Sequence, residues 1–221
     1  MSKRNKACIL AGCGLIVAFA LWTLLVRYVD VKPIGPMGSR VGFATLNGFV
    51  NGLFGVHMWL YTVTDWLGLV PIFVCLCFAV FGAWQLIKTR SIFKVDGDIL
   101  LLGAYYIVVI AVYIFFEYVI INYRPVLING YLEASYPSST TLLVMCVMPT
   151  AVMMLKPRVR NKGKMRALCF VDYLFVAFMV IGRLCSGVHW LSDIIGGALF
   201  SGGACLVFYG IRRFAIEKFL H

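Results

Sequence analysis

The chain has 221 residues, of which 62% are apolar and only 13% charged. A soluble domain carries about 45–50% apolar residues, so the composition excludes a water-soluble globular fold and leaves an integral membrane protein. Its formal net charge of +11 must then serve either the membrane surface or a polyanionic partner.

Crossing about 30 Å of hydrocarbon at 1.5 Å per residue takes roughly 20 apolar residues, and windows of that length predict six spans. The first, Ala7–Val26, follows the basic "KRNK" as a signal peptide would. No small-residue cleavage site follows in "ALWTLLVRYVD", so it reads as an uncleaved signal anchor. Next comes "NGLFGVHMWLYTVTDW", with apolar residues at helical spacing and Trp59 and Trp66 as headgroup-level anchors, an interfacial helix that carries His57. Leu67–Ile87 and Ile99–Asn122 are the second and third spans. Pro137 and Ser138 to Thr140 read as the start of the fourth, Ser139–Leu155. Ala167–Arg183 and Asp193–Ile211 complete the set. Six helices leave only short loops, so residues 1–221 are expected to form one all-α, polytopic membrane domain.

With the N-terminus placed in the cytoplasm, Arg27, Lys32, Arg40, Arg124 and Arg183 fall outside, and the remaining fifteen of the 20 Lys and Arg residues fall inside. This is the positive-inside pattern. The net charge is therefore a topology signal and an attraction to anionic lipids at the inner face, with no nucleic acid implied. "KPRVRNKGKMR" reads as an inner loop, with which Asp172 of the fifth span is expected to pair, and His221 falls on the same side. A plasma membrane with both termini cytoplasmic is the expected setting. The eight cysteines show no paired metal-ligand spacing and read as small apolar residues.

The scarce polar residues gather at the outward ends of the last four spans, in "EYVIINYRP", "YPSSTT", "GRLCSG" and "HWLSD". Each arginine alone reads as a snorkelling anchor, but two arginines beside His189 and Asp193 read as a site at the membrane surface. If the sixth helix begins at His189, the i,i+4 spacing puts Asp193 on the same face, able to accept one imidazole proton and leave the other nitrogen free. A neutral imidazole beside guanidinium groups suits attack on phosphorus, because the guanidinium forks bind phosphate oxygens. The start of the fourth helix would add hydroxyl and N–H donors.

The order of these motifs resembles the membrane branch of the type-2 phosphatidic-acid phosphatase and vanadium haloperoxidase superfamily. That family sets Lys-x6-Arg-Pro, Pro-Ser-Gly-His and Ser-Arg-x5-His-x3-Asp on a six-helix core. Here they read "EYVIINYRP", "PSST" and "GRLCSGVHWLSD", over about Ile99 to Ile211. The resemblance implies that His189 forms a phosphohistidine, that Asp193 orients it, and that Arg124 and Arg183 hold the phosphate. It also implies that Ser138, Ser139 and Thr140 donate to the phosphate, with neither cofactor nor metal required. The implied substrate is a lipid phosphate or diphosphate at the outer membrane–water interface.

Three departures stand out. Glu117 replaces the family's lysine, Thr140 its second histidine, and Gly182 the serine before Arg183. Two helical turns separate Glu117 from Arg124, so a salt bridge between them is expected, with a reshaped headgroup pocket as the alternative. Loss of the second histidine removes the proton donor for the leaving group, a role worth roughly 10²–10⁴ in rate. His57 and Glu117 are the candidates to replace it, and a diphosphate substrate, with its better leaving group, would need it least. A lipid phosphotransferase and a lipid-phosphate-binding protein without turnover are the competing readings.

Overall fold

The apolar stretches become helices, and those of the first, fifth and sixth spans overrun their expected ends because flanking polar residues remain helical into the headgroup region. The computed structural model describes residues 2–219. Its helices are α1 (Lys3–Tyr28), α2 (Ala44–Phe54), α3 (Met58–Leu67), α4 (Leu69–Thr89), α5 (Gly97–Tyr118), α6 (Ser139–Leu155), α7 (Lys162–Cys185) and α8 (Leu191–Phe219). The six expected spans correspond to α1, α4, α5, α6, α7 and α8. The expected interfacial helix is two helices, α2 and α3, because Gly55 at φ +69° breaks the chain between them. His221 lies outside the described residues.

Close backbone contact sets the principal pairing. A Cβ on Gly12 would meet the Gly203 carbonyl at 2.7 Å, and one on Gly203 would meet the Gly12 carbonyl at 2.8 Å. Only glycine at both positions lets α1 and α8 cross this closely, the usual small-residue solution between helices in lipid. The pair is antiparallel. At one end Asn5 Nδ2 donates to Glu217 Oε1 at 2.9 Å, and at the other Trp22 Nε1 donates to the Ser192 carbonyl at 3.0 Å. The Asn5–Glu217 pair and the Ser192 region therefore lie at opposite ends of the bundle.

The 17-residue α6 runs through the middle, against α4, α5, α7 and α8. It is the most enclosed of the helices, burying Thr140, Thr141, Leu142, Val144, Cys146, Val147, Thr150, Ala151 and Met154. Pro149 lacks the N–H that would bond the Met145 carbonyl, and the thiol of Cys205 on α8 donates to that carbonyl at 3.2 Å instead. A backbone group freed within lipid is thus satisfied by a neighbouring helix. All eight cysteines are free thiols.

At the terminal end, Arg158 pairs with Asp96 at 2.6 Å and Arg212 with Asp98 at 2.6 Å. Asp172 does not join them. It is buried, its Oδ1 has no hydrogen-bond partner, and it forms no ion pair among the described residues. The expected pairing is not formed, since Arg158 of the loop is taken by Asp96 and Arg166, six positions earlier on α7, lies off the face that Asp172 occupies. Beneath the opposite end, Phe19, Phe116, Tyr136 and Phe200 form an aromatic layer, with the Phe19 and Tyr136 rings parallel at 6.3 Å. Tyr136 fixes this layer to α1 through a 2.7 Å bond between its hydroxyl and Thr23.

Candidate active site

The site sits on that aromatic layer and is built from the loop between α7 and α8, the loop between α5 and α6, the start of α6, and α2 and α3. The α7–α8 loop carries His189 and turns at Gly187, whose φ is +68°. Three asparagines hold it. Asn51 Nδ2 donates to the Gly187 carbonyl at 3.1 Å, and Asn47 both donates to Ser192 Oγ at 2.9 Å and accepts from Ser192 N at 3.1 Å. Asn122 accepts from Gly42 N at 3.0 Å and donates to Asp193 Oδ1 at 3.3 Å.

Two one-way hydrogen bonds fix the His189 tautomer. Nδ1 stands 3.2 Å from the Ser135 carbonyl, which can only accept, so Nδ1 carries the proton. Nε2 stands 3.2 Å from Arg124 Nη1, which can only donate, so Nε2 presents its lone pair. Asp193 Oδ2 is 3.8 Å from Nδ1, beyond hydrogen-bond range. The expected His189–Asp193 hydrogen bond is absent because α8 begins only at Leu191, leaving His189 ahead of the helix and off its face. Asp193 instead accepts from Trp190 N at 2.9 Å, and its charge lies beside the imidazole. Burial first, then the positive fields of Arg124 and Arg183, hold the His189 pKa well below its ordinary 6.5. At neutral pH the imidazole is uncharged.

Arg124 and Arg183 meet over one ring. The Tyr61 ring lies 5.9 Å from the Arg124 guanidinium carbon and 4.9 Å from that of Arg183. Arg183, 1% exposed, donates to Thr64 Oγ1 at 3.3 Å and to Asp65 Oδ1 at 3.2 Å. Arg124 stands 3.0 Å from Glu133 Oε2, off the N–H axis, so the ion pair leaves Nε unbonded. Nε of Arg183 is also buried without a partner. Each guanidinium therefore keeps a donor for an incoming anion.

The salt bridge expected between Glu117 and Arg124 is not formed. Helix α5 ends at Tyr118 rather than at Asn122, so Arg124 is not on its face. The chain enters a hairpin-like loop whose turn has positive φ at Asn129 and Gly130, the signature of a two-residue primed turn. That turn brings Glu133 back, and Arg124 N donates to the Glu133 carbonyl at 3.0 Å. Glu117 instead lines a crevice of about 10 Å³ together with His189, Ser135, Ser139 and Tyr113.

Ser138 is the N-cap of α6, accepting from Thr141 N at 3.4 Å, and Pro137 precedes the helix rather than entering it. The amides of Ser139 and Thr140 open the helix with no intrahelical acceptor, while Ser138 N is tied to the Asp193 carbonyl at 3.1 Å. His57 caps α3 from outside the crevice. Its Nε2 lies 2.8 Å from the Phe54 carbonyl and its backbone N–H donates to the Ser186 carbonyl. Sequence reasoning missed Tyr61, Thr64, Asp65, Glu133, Ser135, Asn47, Asn51 and Asn122. Two signals were present for some of them. Asn47 and Asn51 stand i,i+4 in an apolar helix, as do Tyr61 and Asp65, and "NG" at Asn129–Gly130 marks the turn that returns Glu133.

A family model of the PAP2 superfamily matches residues 71–217, reaching back past the expected Ile99 to include α4. Among solved structures, the fold is similar to the "first transmembrane PAP2 type phosphatidylglycerolphosphate phosphatase from Bacillus subtilis". The TM-score is 0.60 at 18% identity, over 93% of this chain and 96% of that one. No curated protein matches the chain.

Proposed function

Since the chain belongs to the PAP2 superfamily, we propose that it removes a phosphate from a membrane lipid phosphate or diphosphate through a phosphohistidine at His189. The observation that carries this reading is the imposed tautomer, which leaves the Nε2 lone pair beside Arg124. In this reading Nε2 attacks phosphorus, while Arg124, Arg183 and the amides and hydroxyls of Ser139 and Thr140 hold the phosphate oxygens. Asp193 and the Ser135 carbonyl stabilise the imidazole as charge develops on it, and Ser138 keeps the α6 amides aligned. With Thr140 in place of the second histidine, and His57 bonded elsewhere, no histidine other than His189 lines the site among the described residues. That favours a diphosphate, whose leaving group needs no proton, over a simple monoester. The requirement is for guanidinium and imidazole groups only, so chelators are expected to leave turnover unchanged.

The basic residues cluster at the end of the bundle that holds the termini. This supports an orientation in a plasma membrane with cytoplasmic termini, anionic lipids at the basic face and the site in the outer leaflet.

The test is phosphate release by the purified protein from polyprenyl diphosphate, phosphatidic acid and phosphatidylglycerol phosphate, in chelator, beside His189→Ala. Release that disappears in the variant supports the proposal and ranks the headgroups. Equal release by both proteins overturns it. Tight binding of these lipids without release moves the assignment to a binding protein, the reading that Thr140 favours. Release that requires an added alcohol acceptor moves it to a phosphotransferase.

A further inference from the structure

We propose that Glu117 is the general base of the second half-reaction, taking a proton from the water that discharges the phosphohistidine; this rests on the phosphohistidine reading above. Three observations carry it. The crevice beside His189 holds about 10 Å³, the room one water needs. Its walls carry polar residues for a bound water, Glu117, Ser139 and Ser135, the last with a second carbonyl lone pair beyond the one that holds His189 Nδ1. Among the described residues Glu117 forms no ion pair, because Arg124 is engaged by Glu133 and Arg183 by Asp65. A carboxylate left unpaired beside a one-water space is free to accept a proton. Tyr113, one turn earlier on α5, lines the same crevice.

His189 Nε2 forms a bond to the terminal phosphorus, the bridging P–O bond breaks, and its electron pair leaves on the lipid-linked phosphate. The Nδ1 proton stays on the ring. Water in the crevice then forms a P–O bond as its proton passes to Glu117. The P–N bond breaks, its electron pair returns to Nε2, and inorganic phosphate departs. Glu117 releases the proton to solvent. The residue that stands where the family has a lysine thus serves in hydrolysis of the phosphohistidine, and not in phosphate binding.

The experiment is rapid-quench kinetics of Glu117→Gln and wild type on farnesyl diphosphate radiolabelled at its terminal phosphate, with His189→Ala alongside. In Glu117→Gln, labelled protein with the acid lability and base stability of phosphohistidine is expected to form at a rate within about threefold of wild type. It should accumulate towards one per chain, while steady turnover falls roughly 10²-fold or more. Formation of the labelled protein also shows that the variant is folded. Hydroxylamine, a neutral nucleophile that needs little help from a base, should discharge it and restore turnover. Wild-type turnover in Glu117→Gln overturns the proposal. So does a variant that melts like wild type but neither accumulates label nor turns over, since Glu117 would then act in the first step. A wild-type protein that turns over with His189→Ala equally active removes the phosphohistidine itself, a distinct failure.

Discussion

Gly187 joins the loop carrying His189 to the helices that hold Arg183, and Gly187→Ala tests whether that junction matters. The residue has φ +68°, and a Cβ there would overlap the Gly55 carbonyl oxygen, lie 2.9 Å from its carbon and lie 3.1 Å from Val56 Cα. The obstacle is backbone, so the loop must separate from the α2–α3 junction. Separation breaks the bond from His57 N to the Ser186 carbonyl at 2.9 Å and that from Asn51 Nδ2 to the Gly187 carbonyl at 3.1 Å. A left-handed conformation costs an alanine about 1 kcal/mol, and each lost hydrogen bond adds about 1 kcal/mol, giving roughly 3 kcal/mol in all. For a chain of this size that is a melting shift of about 6–12 °C. Gly130→Ala is the control. Its φ is +83° with nothing within 4 Å of the added Cβ, so it should bear only the conformational cost, about 2–4 °C. Both variants are compared with wild type in one detergent at one scan rate. Because α3 holds Arg183 through Tyr61, Thr64 and Asp65, vanadate affinity should fall in Gly187→Ala and stay near wild type in Gly130→Ala. A Gly187→Ala protein that melts within 2 °C of Gly130→Ala refutes the argument that this contact positions the site.

Three further outcomes are expected. The depressed His189 pKa keeps the imidazole neutral below pH 6.5, so kcat/KM, corrected for ionisation of the substrate, should fall less than about threefold from pH 7.5 to 5.5. An unperturbed histidine would lose about tenfold, and a tenfold fall would refute the reading. By the same linkage, the unfolded chain binds a proton near pH 6.5 that the folded site refuses, so this histidine's contribution to stability is present above pH 6.5 and fades as pH falls. Arg124→Lys keeps the charge but cannot reach Nε2, Glu133 and the phosphate with one ammonium group, and kcat/KM should drop on the order of 10²-fold; near-wild-type activity would show that charge alone suffices. Glu133→Gln removes a half-exposed anion that competes with phosphate for Arg124, so vanadate should bind about two- to fivefold tighter, in keeping with a screened pair worth up to about 1 kcal/mol; weaker binding would show that Glu133 orients the guanidinium instead.

The spans were legible because hydrophobic runs of the right length have one meaning in a bilayer, and their ends were not, because helices such as α7 continue through basic residues. Arg124, Arg183 and His189 were legible because ionisable groups are rare in this chain. Their partners were harder to find. Glu133 required the turn at Asn129–Gly130 to be followed through to its return strand, and Asp65 required α3 to be docked on α7, which no local pattern specifies. The Ser135 carbonyl that sets the His189 tautomer has no sequence signal at all, since every residue carries a carbonyl. The expected roles of Glu117 and Asp193 both assumed an unbroken helix through the motif. Both were altered where α5 stops early and α8 starts after His189.

Each buried arginine is matched by one carboxylate, and the pairs are uneven in exposure. The side chains of Arg124 and Arg183 are 9% and 2% exposed, whereas those of Glu133 and Asp65 are 41% and 56% exposed. Removing a carboxylate from a half-solvated pair costs little, because water replaces the lost partner, while a buried guanidinium stripped of its anion costs several kcal/mol. The arginines therefore stay in place and the carboxylates are the exchangeable partners. In the proposed mechanism an incoming phosphate meets two fixed cations whose Nε donors lack hydrogen-bond partners, and the anions it displaces swing into water. It must also take Arg124 Nη1 from His189 Nε2, which frees the lone pair at the moment phosphorus arrives. On that proposal, binding and unmasking of the nucleophile are one event, and a ligand that fails to engage Arg124 is expected to leave His189 capped and unreactive.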